Sequence, residues 1–150
     1  MTDPDPNVVK QALADLRDIN KDRRRTAVMK LGMLGGEEAV QTLIMVVKNR
    51  NEDLIVRGRA ALMLGKLGDA RAVGPLIEAL DAPGFQTPLY AAQSLGKLGD
   101  ARAIPPLLRL LDTDHDKFRE AARESLTRLG YNSIERLGAV KPEPEGEPEV

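Results

Sequence analysis

Apolar residues recur along this chain at three- and four-residue intervals, in short blocks that end in glycine or proline. That spacing places them on one face of a helix. In VRGRAALMLGKL, Ala60, Leu64 and Leu67 share a face. Gly68 follows as a stop, because the residue after a helix is often left-handed and glycine takes that conformation cheaply. Asp69 then stands where a carboxylate would cap the next helix. In that helix Ala72, Val73, Leu76, Ile77 and Leu80 form the apolar stripe. Pro75 and the pair Pro105-Pro106 must lie in or near the first turn, since deeper in they would remove a backbone bond. Thr87-Pro88 reads as the cap and first residue of the following helix.

The two-helix pattern repeats. LGKLGDARA occurs at 64–72 and again at 95–103, a period of 31. A shift of 33 carries the frame back to Leu31-Gly32-Met33-Leu34-Gly35, and Leu126, Leu129 and Gly130 carry it forward. A period in the low thirties predicts stacked helical pairs sharing one continuous core. Leu64 and Leu95 are its buried leucines, Gly68 and Gly99 its helix stops, and Asp69 and Asp100 its caps. Gly32, Gly65 and Gly96 fall inside first helices, where glycine costs about 1 kcal/mol against alanine. A cost repeated at one phase predicts close approach of a neighbouring helix. Thr127 holds that phase in the last unit. The expected layout is one domain over 1–139: a cap helix over 6–18, then pairs over about 20–49, 53–81, 87–112 and 114–137. A short final helix over 131–137 would close it. Arg123, Glu124 and Arg128 give the last pair the polar outer face that a terminal repeat needs. The alternating Glu and Pro of 140–150 cannot bury a core and read as a disordered acidic tail.

VRGRAALMLGKLGDARAVGPLIEAL, residues 56–80, resembles the HEAT-like repeats first associated with phycobilisome lyases, and 88–111 matches nearly as well, with Pro88-Leu89 where that family carries arginine. The resemblance implies an all-α solenoid, a right-handed superhelix of stacked helical hairpins. It also implies one functional candidate, a bilin lyase subunit or a bilin-binding chaperone. Iron-dependent hydroxylases built on similar repeats use several His-Glu pairs as ligands, and no His-Glu pair occurs here.

Composition narrows the chemistry. With no Cys, thiolate chemistry and Cys-based zinc sites are excluded. Two Phe, two Tyr and no Trp leave little surface for stacking bases or a tetrapyrrole. A net charge of −1 gives no global field toward nucleic acid or anionic membrane. No basic-then-apolar leader is visible and the longest apolar run, 43–47, is too short to span a bilayer, so a cytoplasmic protein is expected. His115 lies among Asp112, Asp114 and Asp116; a lone His without ligand spacing reads as part of an acidic helix start rather than a metal site. Asp69 with Arg71, and Asp100 with Arg102, recur at one phase and therefore serve the stack, pairing across repeats, as Arg24, Arg57 and Arg119 would. Lys21, Arg23, Arg24 and Arg25 make the strongest nucleic-acid candidate, with Arg24 joining the ladder while Arg23 and Arg25 face water.

No catalytic set, cofactor site or metal site is expected. Function then falls to positions where the repeats disagree. On the second helices these are Gln41, Met45, Lys48, Glu78 and Arg109, with Arg71 and Arg102 at the helix entrances. Gly74 and Pro105 share the column of Gln41. The expectation is a non-catalytic scaffold, a monomer, that binds a protein or peptide on the concave face of those helices. Nucleic acid is a weak third possibility.

Overall fold

The computed structural model describes residues 3–131. The expected final helix beyond Tyr131 and the Glu/Pro tail lie outside the described residues. Within them the chain is all α: α1 (Pro6–Asp15), α2 (Lys21–Leu34), α3 (Glu37–Lys48), α4 (Leu54–Leu67), α5 (Val73–Ala79), α6 (Gln86–Leu98), α7 (Ile104–Leu110) and α8 (Asp116–Arg128). Single 3₁₀ turns, Ala70–Ala72 and Ala101–Ala103, lead into α5 and α7. The first helices α2, α4, α6 and α8 pack on one another in order. The second helices α3, α5 and α7 form the other layer, and α1 precedes them as an unpaired helix packed on α2. This is an α-solenoid.

Its core runs the length of the stack. Leu31, Leu43, Leu64, Leu76, Leu95 and Leu107 are all fully buried. Gly68 and Gly99 close α4 and α6 in the left-handed region, at φ 72° and 74°. Asp69 and Asp100 then cap the 3₁₀ turns by accepting from the backbone N–H of Arg71 and Arg102. Pro75 and Pro105-Pro106 fall in the first turns of α5 and α7, where their missing N–H removes no helical bond.

Two local expectations shift. The cap helix, read as 6–18, closes at Asp15 because the chain tightens there: Arg17 and Asp18 donate to carbonyls three residues back, Ala14 and Asp15. Helix α6 begins at Gln86, before Thr87-Pro88. Thr87 does not cap it. Its hydroxyl donates instead to the carbonyl of Leu54 in the preceding repeat, at 3.2 Å.

Candidate functional site

The second helices bury Ala39, Val40, Leu43, Val46 and Val47 on α3 and Val73, Leu76 and Ala79 on α5. The opposite faces carry the variable columns. Gln41, Met45, Lys48, Gly74, Glu78, Pro105 and Arg109 are all exposed, as are Arg71 and Arg102 at the entrances. The apolar run over 43–47 divides cleanly: Val46 is buried, while Met45 stands 70% exposed. An exposed methionine is a soft, adaptable contact for a partner.

The structure sorts the candidates into separate groups. Around the start of α3, Glu37 receives Arg71 through two hydrogen bonds of 2.7 and 2.8 Å and Gln41 through a third of 2.7 Å. Arg71 also clasps Asp69 of its own repeat. The guanidinium of Arg71 holds Glu37 below the usual carboxylate range and Asp69 at about 2, and the carboxylates in turn raise Arg71. Arg102 pairs with Asp100 in the same way and lowers it. Carboxylates held ionised by bidentate arginine are poor proton carriers near neutrality. The ladder therefore serves structure and surface charge. Its pairing differs from expectation: each Asp binds the Arg two residues on, and the link between repeats is Arg71 to Glu37. Elsewhere, Lys48 and Glu78 line a cavity of about 360 Å³ beside Arg50 and Asp81.

The remaining arginines tie repeat to repeat. Buried Arg57 donates twice to the carbonyl of Val47, at 3.0 and 3.1 Å, and burial lowers its pKa. Arg24 donates to the carbonyls of Asp18 and Ile19, and Arg119 to that of Thr113. Each fastens a first helix to the end of the helix before it or to the turn that follows that helix: α3 for Arg57, α1 for Arg24 and α7 for Arg119. Arg24 also grips Glu52. Arg25 does not face water: it makes a two-pronged pair with Asp53, both contacts 2.9 Å. Of the cations in 21–25 only Lys21 and Arg23 stay outward, with exposed Asp22 between them and Arg23 3.7 Å from Asp18, a thin basis for phosphate binding.

His115 is itself the cap of α8, its Nδ1 accepting from the N–H of Lys117. It joins Phe85 and Phe118 in a ring cluster, with centroids 4.4 to 5.7 Å apart. Among the described residues no group of three or more Asp, Glu or His could hold a metal ion. No described helix is long and apolar enough to cross a membrane.

Sequence reasoning missed a wide hollow beside α1. A cleft of about 810 Å³ opens between α1 and α3, lined by Lys10, Leu13, Leu16 and Arg17 on one side and Glu38, Met45 and Val46 on the other. A second hollow of about 610 Å³ shares Lys10, Leu13 and Glu38 and continues it toward Pro4. The stripe Lys10, Leu13, Ala14, with Arg17 in the turn after it, was a readable signal: one face of an unpaired helix and its end.

Comparison with known proteins agrees with this architecture. A family model described as HEAT repeats matches residues 9–87 and again 50–127. Among solved structures, the complex of CpcE and CpcF of phycocyanin lyase from Nostoc sp. PCC7120 is similar, with a TM-score of 0.71 and 32% identity over 81% of this chain and 53% of that one. The chain thus spans about half the length of that relative. An engineered protein is similar in fold, at 18% identity and a TM-score of 0.61, over 88% of this chain and 66% of that one. No curated protein matches the sequence. A model covering most of the chain, on helical pairs whose core repeats in step with it, shows that the chain belongs to the HEAT-repeat family, with repeats of the kind found in phycobilisome lyases.

Proposed function

We propose that this chain is a non-catalytic docking module whose second helices present Gln41, Met45, Lys48, Glu78 and Arg109, with Arg71 and Arg102 beside them, to a protein or peptide on the concave face. The observation that carries the reading is the split along α3, α5 and α7. The repeat leucines Leu43, Leu76 and Leu107 are buried, and the two variable columns Gln41/Gly74/Pro105 and Met45/Glu78/Arg109 are exposed throughout. Membership of the HEAT-repeat family supports a protein partner. The module acts in the cytoplasm as a monomer. The test is affinity capture of the partner from the native cell, then its affinity for a variant carrying Met45→Ala, Glu78→Ala and Arg109→Ala together. A loss of tenfold or more supports the face; unchanged affinity overturns it.

The likeness to a phycocyanin lyase complex favours a second reading, a bilin lyase subunit or bilin-binding chaperone. The chain is poor in rings that would stack on a tetrapyrrole. Mixing with a bilin would shift visible absorption if the reading holds, and an unshifted spectrum removes it.

A further inference from the structure

The cavity of about 360 Å³ beyond the end of α3 has a buried charge in its wall. Arg57 is 5% exposed and is the one charged residue buried among the described residues. Its Nε and Nη2 donate to the carbonyl of Val47. That oxygen solvates the guanidinium but does not neutralise it. Nη1 has no acceptor among the described residues, and no carboxylate there lies within ion-pair distance of Arg57. A guanidinium carries five N–H donors in a fixed plane. With the Nε edge used, Nη1 and the second N–H of Nη2 remain as a fork that matches a carboxylate. Burial, then the neighbouring charge of Arg50, push the Arg57 guanidinium down, and no carboxylate draws it back up.

The other repeats show what is missing. Arg24 and Arg119 hold the position of Arg57 one repeat back and two repeats on. Both grip backbone carbonyls as Arg57 does, and both also have a carboxylate: Glu52 for Arg24 and Asp116 for Arg119. Carried to Arg57 by the period of 31, those two positions become Pro83 and Leu54. Neither can balance a charge, and Pro83 lines the cavity. The rim itself is neutral. Lys48, Arg50, Glu78 and Asp81 stand there, two of each sign, all exposed and screened by water. The buried charge cannot turn out to water, so it decides the sign of the site: a guanidinium taken out of water is stabilised by an opposite charge brought to it.

We infer that this cavity takes the carboxylate of an acidic side chain from a partner protein, which forks onto Arg57 with Arg50 beside it. The inference rests on the docking reading above and names the partner's chemistry. Lys48 and Glu78 on the rim belong to the proposed face, so a partner lying on that face covers the cavity mouth.

The experiment uses the full chain and follows the NMR signal of the Arg57 Nε–H. The probe is glutamate blocked at both ends, whose one charge is its side-chain carboxylate, with blocked glutamine and blocked lysine as controls at constant ionic strength. Blocked glutamate should move the signal saturably and blocked glutamine should not. Arg50→Ala should weaken the glutamate probe at least threefold, and Asp81→Asn should tighten it at least twofold, with both folds checked by circular dichroism. No saturable shift, an equal response to glutamine or a stronger one to lysine overturns the inference. So does an Asp81→Asn variant that loses stability without gaining affinity, because Asp81 would then be the partner of Arg57 within the chain. A captured partner should bind Arg50→Ala at least fivefold more weakly, and changing one acidic residue of that partner to its amide should abolish the difference. A partner that responds to Met45→Ala, Glu78→Ala and Arg109→Ala together but ignores Arg50→Ala overturns the inference and leaves the docking face standing. The converse supports the inference and removes the wider face.

Discussion

Gly65 on α4 faces Ser94 on α6 so closely that a Cβ added to the glycine would lie 2.3 Å from the serine Oγ and 2.9 Å from its Cα. The Ser94 hydroxyl uses that approach to donate a 2.6 Å bond to the carbonyl of Ala61. Gly96 and Ser125 repeat the arrangement, with Ser125 donating to Ala92 at 2.6 Å. Alanine at Gly65 gains about 1 kcal/mol of helix propensity but forces two backbones apart, and overpacking costs about 1–3 kcal/mol or more. Gly65→Ala should therefore destabilise the chain in urea unfolding. Ser94→Ala should not rescue it, because the serine Cβ and Cα remain in the way; a double variant as stable as the parent would refute the packing account.

Other glycines predict different outcomes. Gly74 is exposed in α5 at an ordinary helical conformation, and apart from its chain neighbours a Cβ there would meet nothing within 4 Å. Alanine there gains about 0.5–1 kcal/mol of helix propensity, offset by the crowding that any Cβ immediately before Pro75 meets in a helix. Gly74→Ala should therefore leave stability nearly unchanged. Gly68 also has open space, but its φ is 72°. Gly68→Ala should lower stability by about 1 kcal/mol through backbone strain alone. A urea midpoint that falls as far for Gly74→Ala as for Gly68→Ala would contradict this contrast.

These contrasts mark what the sequence made legible. Leu64, Leu95, Gly65, Gly68 and Asp69 were readable because each meets the same surroundings in every repeat, so its signal recurs. Glu37 was not. Its counterparts one and two repeats on are Ala70 and Ala101, and a bond made once leaves no period. Arg25 with Asp53 is hidden for the same reason. The ring cluster joins Phe85 and His115, the residues just before α6 and α8, with Phe118 in the first turn of α8. The hollow beside α1 depends on how far α1 stands from α3, a distance set by packing on α2 rather than by any residue in the cleft.

Burial of the repeat leucines gives a direct measure of the core. Leu64 and Leu95 have no solvent exposure and sit in the one cluster that runs through the stack. Leu64→Ala or Leu95→Ala should each cost about 2–5 kcal/mol, the range for a buried leucine deletion. Leu54→Ala, at a leucine 40% exposed, should cost much less. Equal losses at Leu54 and Leu64, read from denaturant midpoints, would mean that burial is not what sets the cost.

Acid should loosen the joint between the first two repeats. Asp53 accepts from the N–H groups of Ile55 and Val56, capping α4, and holds Arg25 by two bonds. Hydrogen bonding from Arg25, then from Val56, depresses its pKa from 3.8 to about 2. A carboxylate depressed on folding contributes stability that is complete above its unfolded pKa and is lost as pH falls toward its folded one. The loss should therefore run from about pH 4 to pH 2. Asp69, held at about 2 by Arg71, falls in the same window but is more exposed and better screened. Asp53→Asn keeps a capping oxygen and removes the charge. It should lower the urea midpoint at neutral pH, where the parent's pair is intact, and flatten the fall below pH 4. An Asp53→Asn variant as acid-sensitive as the parent would assign the loss to another carboxylate, and Asp69→Asn is the comparison that would identify it.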